Sequence, residues 1–136
     1  MNIINSEICT LVPFTTAHLE RVTFFPESII DLIKGWFSFY NKYFGLDLIY
    51  IWDVLVPVLF NYPELFDKNP VRINASKVED INYGHLVISK DDNGVLVNMP
   101  SKILDTNKFM NIVIDSWQRF HNFTMDKNKG YDFSDY

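Results

Sequence analysis

The segment between Pro26 and Gly45 most constrains what this chain can fold into. Pro26 and Glu27 suit the first positions of a helix, and Gly45 suits the left-handed residue that ends one. Between them, apolar side chains recur every three or four residues, as on one face of a helix: Ile29, Ile33, Trp36, Phe37, Tyr40 and Phe44. The pattern predicts a long helix with one wide apolar stripe, from which Trp36 and Tyr40 project one turn apart.

Three elements are predicted around this helix in the first half of the chain. Residues 2–13 are rich in Ile and Val and end at a proline, which predicts a buried strand. Residues 15–24 predict a short helix capped by Thr15 or Thr16 and stopped by Pro26 at the latest. Residues 54–66 predict a second helix that begins near Asp53, with Pro57 close to its start.

The second half of the chain predicts a hairpin and a helix. Residues 71–74 predict a strand, and two β-rich runs within residues 84–99 flank "DDNG", a hairpin signal. Residues 101–120 predict a short strand and then a helix capped by Asp105 or Thr106, with a buried face of Phe109, Ile112, Val113 and Trp117. The order predicts an α/β chain of mixed α+β character, in which residues 1–121 form a single domain and residues 122–136 a flexible tail. The first strand has no obvious neighbour, so we expect an incomplete sheet.

Composition and charge exclude several classes of function. With 136 residues, 48% of them hydrophobic and 16% aromatic, the chain suits one folded domain. The net charge of −5, with acids and bases interspersed, argues against a nucleic-acid partner. The single cysteine, Cys9, allows no intrachain disulfide and makes a zinc site improbable. Because no signal-peptide pattern and no apolar run of about 20 residues is seen, we expect a cytoplasmic protein without a membrane partner.

Asp53 stands out because it interrupts the most apolar passage of the chain, "DLIYIWDVLVPVLFNYPELF". One interpretation is a helix N-cap, since an Asp at that position accepts a bond from a free N–H. The other is a carboxylate that presents an oxygen to a hard cation such as Ca²⁺. The two are compatible, because one oxygen can cap while the other binds.

The aromatic residues Trp36, Tyr40 and Trp52 likewise allow two interpretations. Aromatic side chains at helical spacing commonly pack into a core, but they also form clamps around flat ligands. The common catalytic motifs are missing: the chain has no glycine-rich phosphate loop and no nucleophile elbow, and its three histidines are far apart.

The order of these elements resembles the C-terminal part of the calcium-dependent nucleoside hydrolases. The similarity runs through "GLDLIYIWDVLVPVLFNYPELF", "VRIN", "YGHLVI" and "ILDTNKFMNIVIDSW", and covers most of residues 1–120. It implies that Asp53 is a ligand of calcium and of ribose. It also implies that Trp52 stacks on the base. Purine-specific members of the family have a Trp at this position, whereas inosine–uridine members have a His. Tyr40 and Trp36 fall on the helix face that closes over the base.

The chain also departs from that family. Nothing resembles its N-terminal Asp-Thr-Asp-x-Gly-x-Asp-Asp segment, which supplies most calcium ligands and the water-activating base, or its Glu-x-Asn ribose contacts. The resemblance therefore implies the C-terminal segment of a purine-type ribonucleoside hydrolase that is inactive without an N-terminal half, with a purine nucleoside as ligand. The alternative is a non-catalytic interaction module or degenerate relative that associates through an unpaired strand, for example as a homo-oligomer.

Overall fold

The computed structural model describes residues 1–74, 88–89 and 94–127. Within them, five helices and four short strands follow the order α1 (Ser6–Cys9), β1 (Pro13–Thr15), α2 (Thr16–Leu19), α3 (Glu27–Phe44), β2 (Leu48–Tyr50), α4 (Leu55–Asn61), β3 (Pro70–Ile73), β4 (Val95–Asn98) and α5 (Thr106–Lys127). Short 3₁₀ turns at Trp52–Val54 and Pro63–Leu65 flank α4. The chain is thus a mixed α/β structure, as predicted at that coarse level.

The prediction of one buried strand over residues 2–13 is wrong. Asn5 begins helix α1 instead, because its side-chain oxygen accepts a hydrogen bond from the N–H of Ile8 at 3.2 Å. Strand β1 follows and pairs antiparallel with β2, with Phe14 opposite Ile49. Among the described residues, the N-terminus adds an isolated parallel bridge between Asn2 and Asn98 to the sheets.

Helix α3 has its predicted ends, whereas α2 has its predicted start but already ends at Leu19 rather than near residue 24. Thr15 precedes α2, and its N–H donates to Nδ1 of His18 at 3.0 Å. Gly45 ends α3 with φ 67°, and its N–H donates to the carbonyl of Asn41 at 2.9 Å, which is the bond of an αL cap.

The apolar residues of α3 form two seams rather than the single predicted stripe. The inner seam, Ile30, Ile33, Phe37 and Tyr40, is half-buried, and its first three members pack against the core. The outer seam, Ile29, Leu32, Trp36, Phe39 and Tyr43, is exposed. The predicted stripe mixed the two, since Ile29, Trp36 and Phe44 lie on exposed positions.

The second half of the chain contains a two-stranded sheet and a long helix. Strand β3 is where "VRIN" predicted it and pairs antiparallel with β4, with Val71 opposite Val97. Ile88 also bridges Ile73, and half of the predicted hairpin, including the turn residues 91–93, lies outside the described residues. The expected strand before α5 is an isolated bridge between Phe66 and Ile103.

Helix α5 is capped by Asp105, whose carboxylate accepts the N–H of Lys108 at 2.8 Å. Its predicted face is turned inward: Phe109 and Val113 are buried, and Ile112 and Trp117 are half-buried against the core. The helix runs through Lys127, so the first residues of the expected tail are helical, whereas residues 128–136 lie outside the described part.

The core lies where α1, β1, α4 and α5 meet. Phe14 and Phe109 are its largest fully buried side chains, and the rings of Phe37 and Trp117 lie 6.3 and 6.0 Å from that of Phe14. In the described part of the chain, no helix combines the length and apolar character needed to cross a bilayer.

Candidate functional site

A cavity of about 250 Å³ opens between α3 and the segment that follows it. Its lining is almost entirely aromatic: Trp36, Tyr40, Ile49, Tyr50 and Trp52. Tyr40, Ile49 and Tyr50 are half-buried, whereas Trp36 and Trp52 are more exposed. Three of the four predicted site residues, Trp36, Tyr40 and Trp52, therefore line the same cavity.

The turn after α3 brings the two walls of this cavity together. Gly45 reverses the chain, and the side-chain amide of Asn41 donates to the carboxylate of Asp47 at 2.6 Å, which ties the end of the helix to the start of β2. Because β2 is held by its pairing with β1, its last residue, Tyr50, is fixed beside Tyr40.

The rings of the cavity form a continuous series of contacts. The centroids of Trp36 and Tyr40 are 6.4 Å apart, those of Tyr40 and Tyr50 6.1 Å, and those of Tyr50 and Trp52 5.8 Å. The last two pairs meet edge to face, an arrangement favoured by the ring quadrupoles. The series makes an apolar cleft with phenol and indole groups as its polar atoms.

Two lining residues, Ile49 and Tyr50, are not predicted as site residues from the sequence. A signal for Tyr50 was present, because it precedes Trp52 by two residues and side chains two apart in extended chain point the same way. This signal in "YIWD" can be used only if Leu48–Tyr50 is predicted to be a strand. A strand of three residues is hard to predict from sequence.

Asp53 lies beside the cavity in sequence but does not line it. Its interpretation as an N-cap is wrong: Asp53 sits inside the 3₁₀ turn Trp52–Val54, and neither this turn nor α4 has a side-chain cap. The predicted helix start is therefore displaced to Leu55. Asp53 is exposed. Its negative charge acts on the Cys9 thiol: burial of the thiol first, and the Asp53 carboxylate second, raise the pKa of Cys9 to about 11.

The donor set around Asp53 does not by itself fit a calcium ion. Ca²⁺ takes 6–8 oxygen ligands, usually from several carboxylates. Within residues 1–74, 88–89 and 94–127, no three His, Cys, Asp or Glu side chains come close enough to hold a metal. A calcium site that includes Asp53 would need ligands from elsewhere.

Comparisons with known proteins add no assignment. Searches against protein families, curated proteins and solved structures found no match to this chain. The aromatic cavity is consequently the feature on which a functional proposal must be built.

Proposed function

We propose that this chain forms the base-binding wall of a purine-type ribonucleoside hydrolase, an enzyme that cleaves the N-glycosidic bond to give base and ribose. The observation that carries the proposal is the convergence of Trp36, Tyr40 and Trp52 on one cavity. The resemblance in sequence singles out these residues as base contacts, independently of their positions in space.

The size and chemistry of the cavity favour a single flat ring system. Its volume of about 250 Å³ is below the roughly 300–1,000 Å³ of pockets for drug-sized ligands. No charged side chain is among its lining residues in the described part of the chain, which suits an uncharged base better than a phosphate. The phenol groups of Tyr40 and Tyr50 can donate hydrogen bonds to ring nitrogens or carbonyl oxygens.

The rest of the reaction requires groups beyond this wall. N-glycosidic hydrolysis through an oxocarbenium-like state needs an activated water, carboxylates that orient the ribose and a neutralised leaving base. In the proposal, a calcium ion would activate the water, and Asp53 would contribute one of its ligands together with a second segment. The isolated chain would then bind the nucleoside without hydrolysing it.

The experiment is a calorimetric titration of the isolated chain with inosine, guanosine and uridine, followed by chromatography for released base. We expect the two purine nucleosides to bind with Kd below about 1 mM, corresponding to about −4 kcal/mol, and uridine to bind more weakly. With Ca²⁺ present, we expect no more hydrolysis than from a Trp52→Ala, Asp53→Ala double variant. Equal binding of all three nucleosides would contradict the purine assignment, and clear turnover would contradict the need for a second segment.

A second candidate is a module that associates with proteins and has no catalytic role. The exposed outer seam of α3 favours it, because five large apolar side chains face solvent there. Adding the N-terminal half of a related nucleoside hydrolase separates the two candidates. Restored calcium-dependent hydrolysis supports the first, and its absence together with stable self-association supports the second.

A further inference from the structure

The outer seam of α3 is a large apolar surface on a folded chain. Its members, Ile29, Leu32, Trp36, Phe39 and Tyr43, are between 40% and 61% exposed. With a large side chain contributing about 150–250 Å² when fully exposed, the seam presents on the order of 600 Å². This approaches the roughly 800 Å² that each partner buries in a standard protein interface.

The spacing of the seam is that of a pairing helix. Its residues follow one another at intervals of three, four, three and four, which is the heptad pattern by which helices pack knobs into holes. The neighbouring face of α3 is already used, because the inner seam faces the core. A helix with the same spacing would complement the outer seam, and α3 is itself such a helix.

The seam also contains both a ridge and a groove. A Cβ built on Gly35 would meet no atom within 4 Å, and a groove of about 450 Å³ runs beside it between Leu32 and Phe39. Trp36 and Asp31 also line this groove. A surface that carries projecting rings and a recess to receive them can pair with a copy of itself around a two-fold axis.

The charges on α3 select the direction of pairing. Glu27, Asp31 and Lys34 lie in its N-terminal half, which therefore carries a net negative charge, and Lys42 lies near its C-terminus. If two copies cross at Trp36 in antiparallel orientation, Asp31 of one faces the region of the partner's Lys42, whereas parallel pairing brings like charges together. The Asp31 contact with Lys34, at 3.7 Å, is an exposed pair of small energetic weight.

We propose that two copies of this chain pair in antiparallel orientation through the outer seam of α3, with Trp36 of each copy near the two-fold axis. Trp36 belongs to both the outer seam and the aromatic cavity, so the tests of pairing use other residues. Leu32, Asp31 and Lys42 carry the tests below, and none of them lines the aromatic cavity.

The first test is sedimentation equilibrium of the chain and of two glutamate variants. Leu32→Glu places a charge in the seam, whereas Phe60→Glu places one on α4, where Phe60 is 85% exposed. We expect the natural chain to sediment with twice its monomer mass and Leu32→Glu to raise the dimer Kd at least about tenfold, as for a central contact. Phe60→Glu should leave the Kd unchanged, and circular dichroism checks that both variants are folded.

The second test reverses the charges. Asp31→Lys and Lys42→Asp should each raise the dimer Kd about threefold or more, and the double variant or an equimolar mixture of the single variants should restore it. Because the two positions are separated by about 16 Å along one helix, a restored contact must join two chains.

Three results would contradict the proposed pairing of two copies through the outer seam. A natural chain that stays monomeric at hundreds of micromolar would overturn the proposal. Dimers that survive Leu32→Glu but not Phe60→Glu would move the interface to α4. Failure of the charge reversal to restore pairing would overturn the antiparallel arrangement.

Discussion

The rings of Tyr50 and Trp52 meet edge to face, with their centroids 5.8 Å apart and their planes at 68°. Tyr50 is the last residue of β2, and Trp52 begins the 3₁₀ turn that follows. The contact joins a ring held by a paired strand to a ring at the rim of the cavity. It thereby gives Trp52 a defined position from which it can stack on a ligand.

The turn that positions this pair depends on Gly45. Its φ of 67° lies in the left-handed region, so Gly45→Ala should lower the free energy of unfolding by about 1–2 kcal/mol. The matched control is Gly35→Ala, in the middle of the same helix, where a methyl group meets no neighbour. That change should raise the free energy of unfolding by about 0.5–1 kcal/mol. Urea titration at low protein concentration measures both, and effects of the same sign would contradict the assigned cap.

His18 should make the stability of the chain fall in mildly acidic solution. Its Nδ1 accepts the N–H of Thr15 at 3.0 Å, which requires the ring to be unprotonated at that atom. Burial first, and then the charge of Arg21, lower the pKa of His18 below 6.5. Because the unfolded chain binds its proton near 6.5 and the folded chain only at lower pH, stability should decrease below pH 6.5 and level off beneath the folded pKa.

Thermal unfolding between pH 5 and 8 measures this effect, and His18→Gln is the control. Glutamine can accept the same backbone N–H at this position without titrating. We expect the variant to lose the part of the pH dependence that His18 supplies. An unchanged pH profile would show that His18 does not titrate as assigned.

Asp67 ties the end of the α4 region to the segment before α5. Its carboxylate accepts the N–H of Ser101 at 2.8 Å, the N–H of Lys102 at 2.9 Å and the hydroxyl of Ser101 at 2.8 Å. Partial burial opposes ionisation, but the Lys102 N–H, the two Ser101 donors and the Lys102 charge together lower the pKa of Asp67 below 3.8. Asp67→Asn should lower the free energy of unfolding by about 1–2 kcal/mol at pH 7.

The sign of the Asp67 effect with pH follows from its lowered pKa. The stabilisation is complete above the unfolded value of 3.8 and is lost as the pH falls through the folded pKa. Asp115→Asn, on the exposed side of α5, is the control and should change stability by less than about 0.5 kcal/mol. Equal effects of the two substitutions in urea titration would contradict a bridging role for Asp67.

Cys9 should react slowly with thiol reagents in the folded chain. It is fully buried, and burial together with the Asp53 charge raises its pKa from 9.0 to about 11, so its thiolate fraction at pH 8 is about a hundredfold smaller than that of a free thiol. Labelling with a disulfide reagent should be slow in buffer and fast in denaturing urea. Labelling in buffer at the rate of glutathione would contradict the position of α1.

Elements marked by local chemistry could be predicted from the sequence. Gly45 and Asp105 end or begin their helices through bonds within a few residues, so their positions are readable from the chain. Helix α1 was missed because the Ile-rich composition around it outweighed the weaker signal of Asn5 as a cap. An apolar composition indicates that a segment is buried, whereas the capping side chain determines whether the segment begins a helix.

The candidate site was predictable in its residues but not in its geometry. The sequence predicts Trp36, Tyr40 and Trp52 as site residues, yet its pattern puts Trp36 and Phe37 on the same apolar stripe. A helix with apolar residues on both sides does not reveal which side faces inward, since that depends on the long-range pairing of β1 with β2. Tyr50 was missed for the same reason, because its role follows from the strand it ends.

The most direct test of the purine-binding account is the affinity of Trp52→Ala for inosine, measured by calorimetry beside Phe60→Ala. Stacking on Trp52 contributes about 0.5–1.5 kcal/mol beyond the apolar area that it covers, so its loss should raise Kd about tenfold or more. Phe60 is exposed on α4 and does not line the cavity, so Phe60→Ala should bind as the natural chain does. Unchanged affinity in Trp52→Ala, or an equal loss in both variants, would contradict the assignment of the aromatic cavity as a purine site.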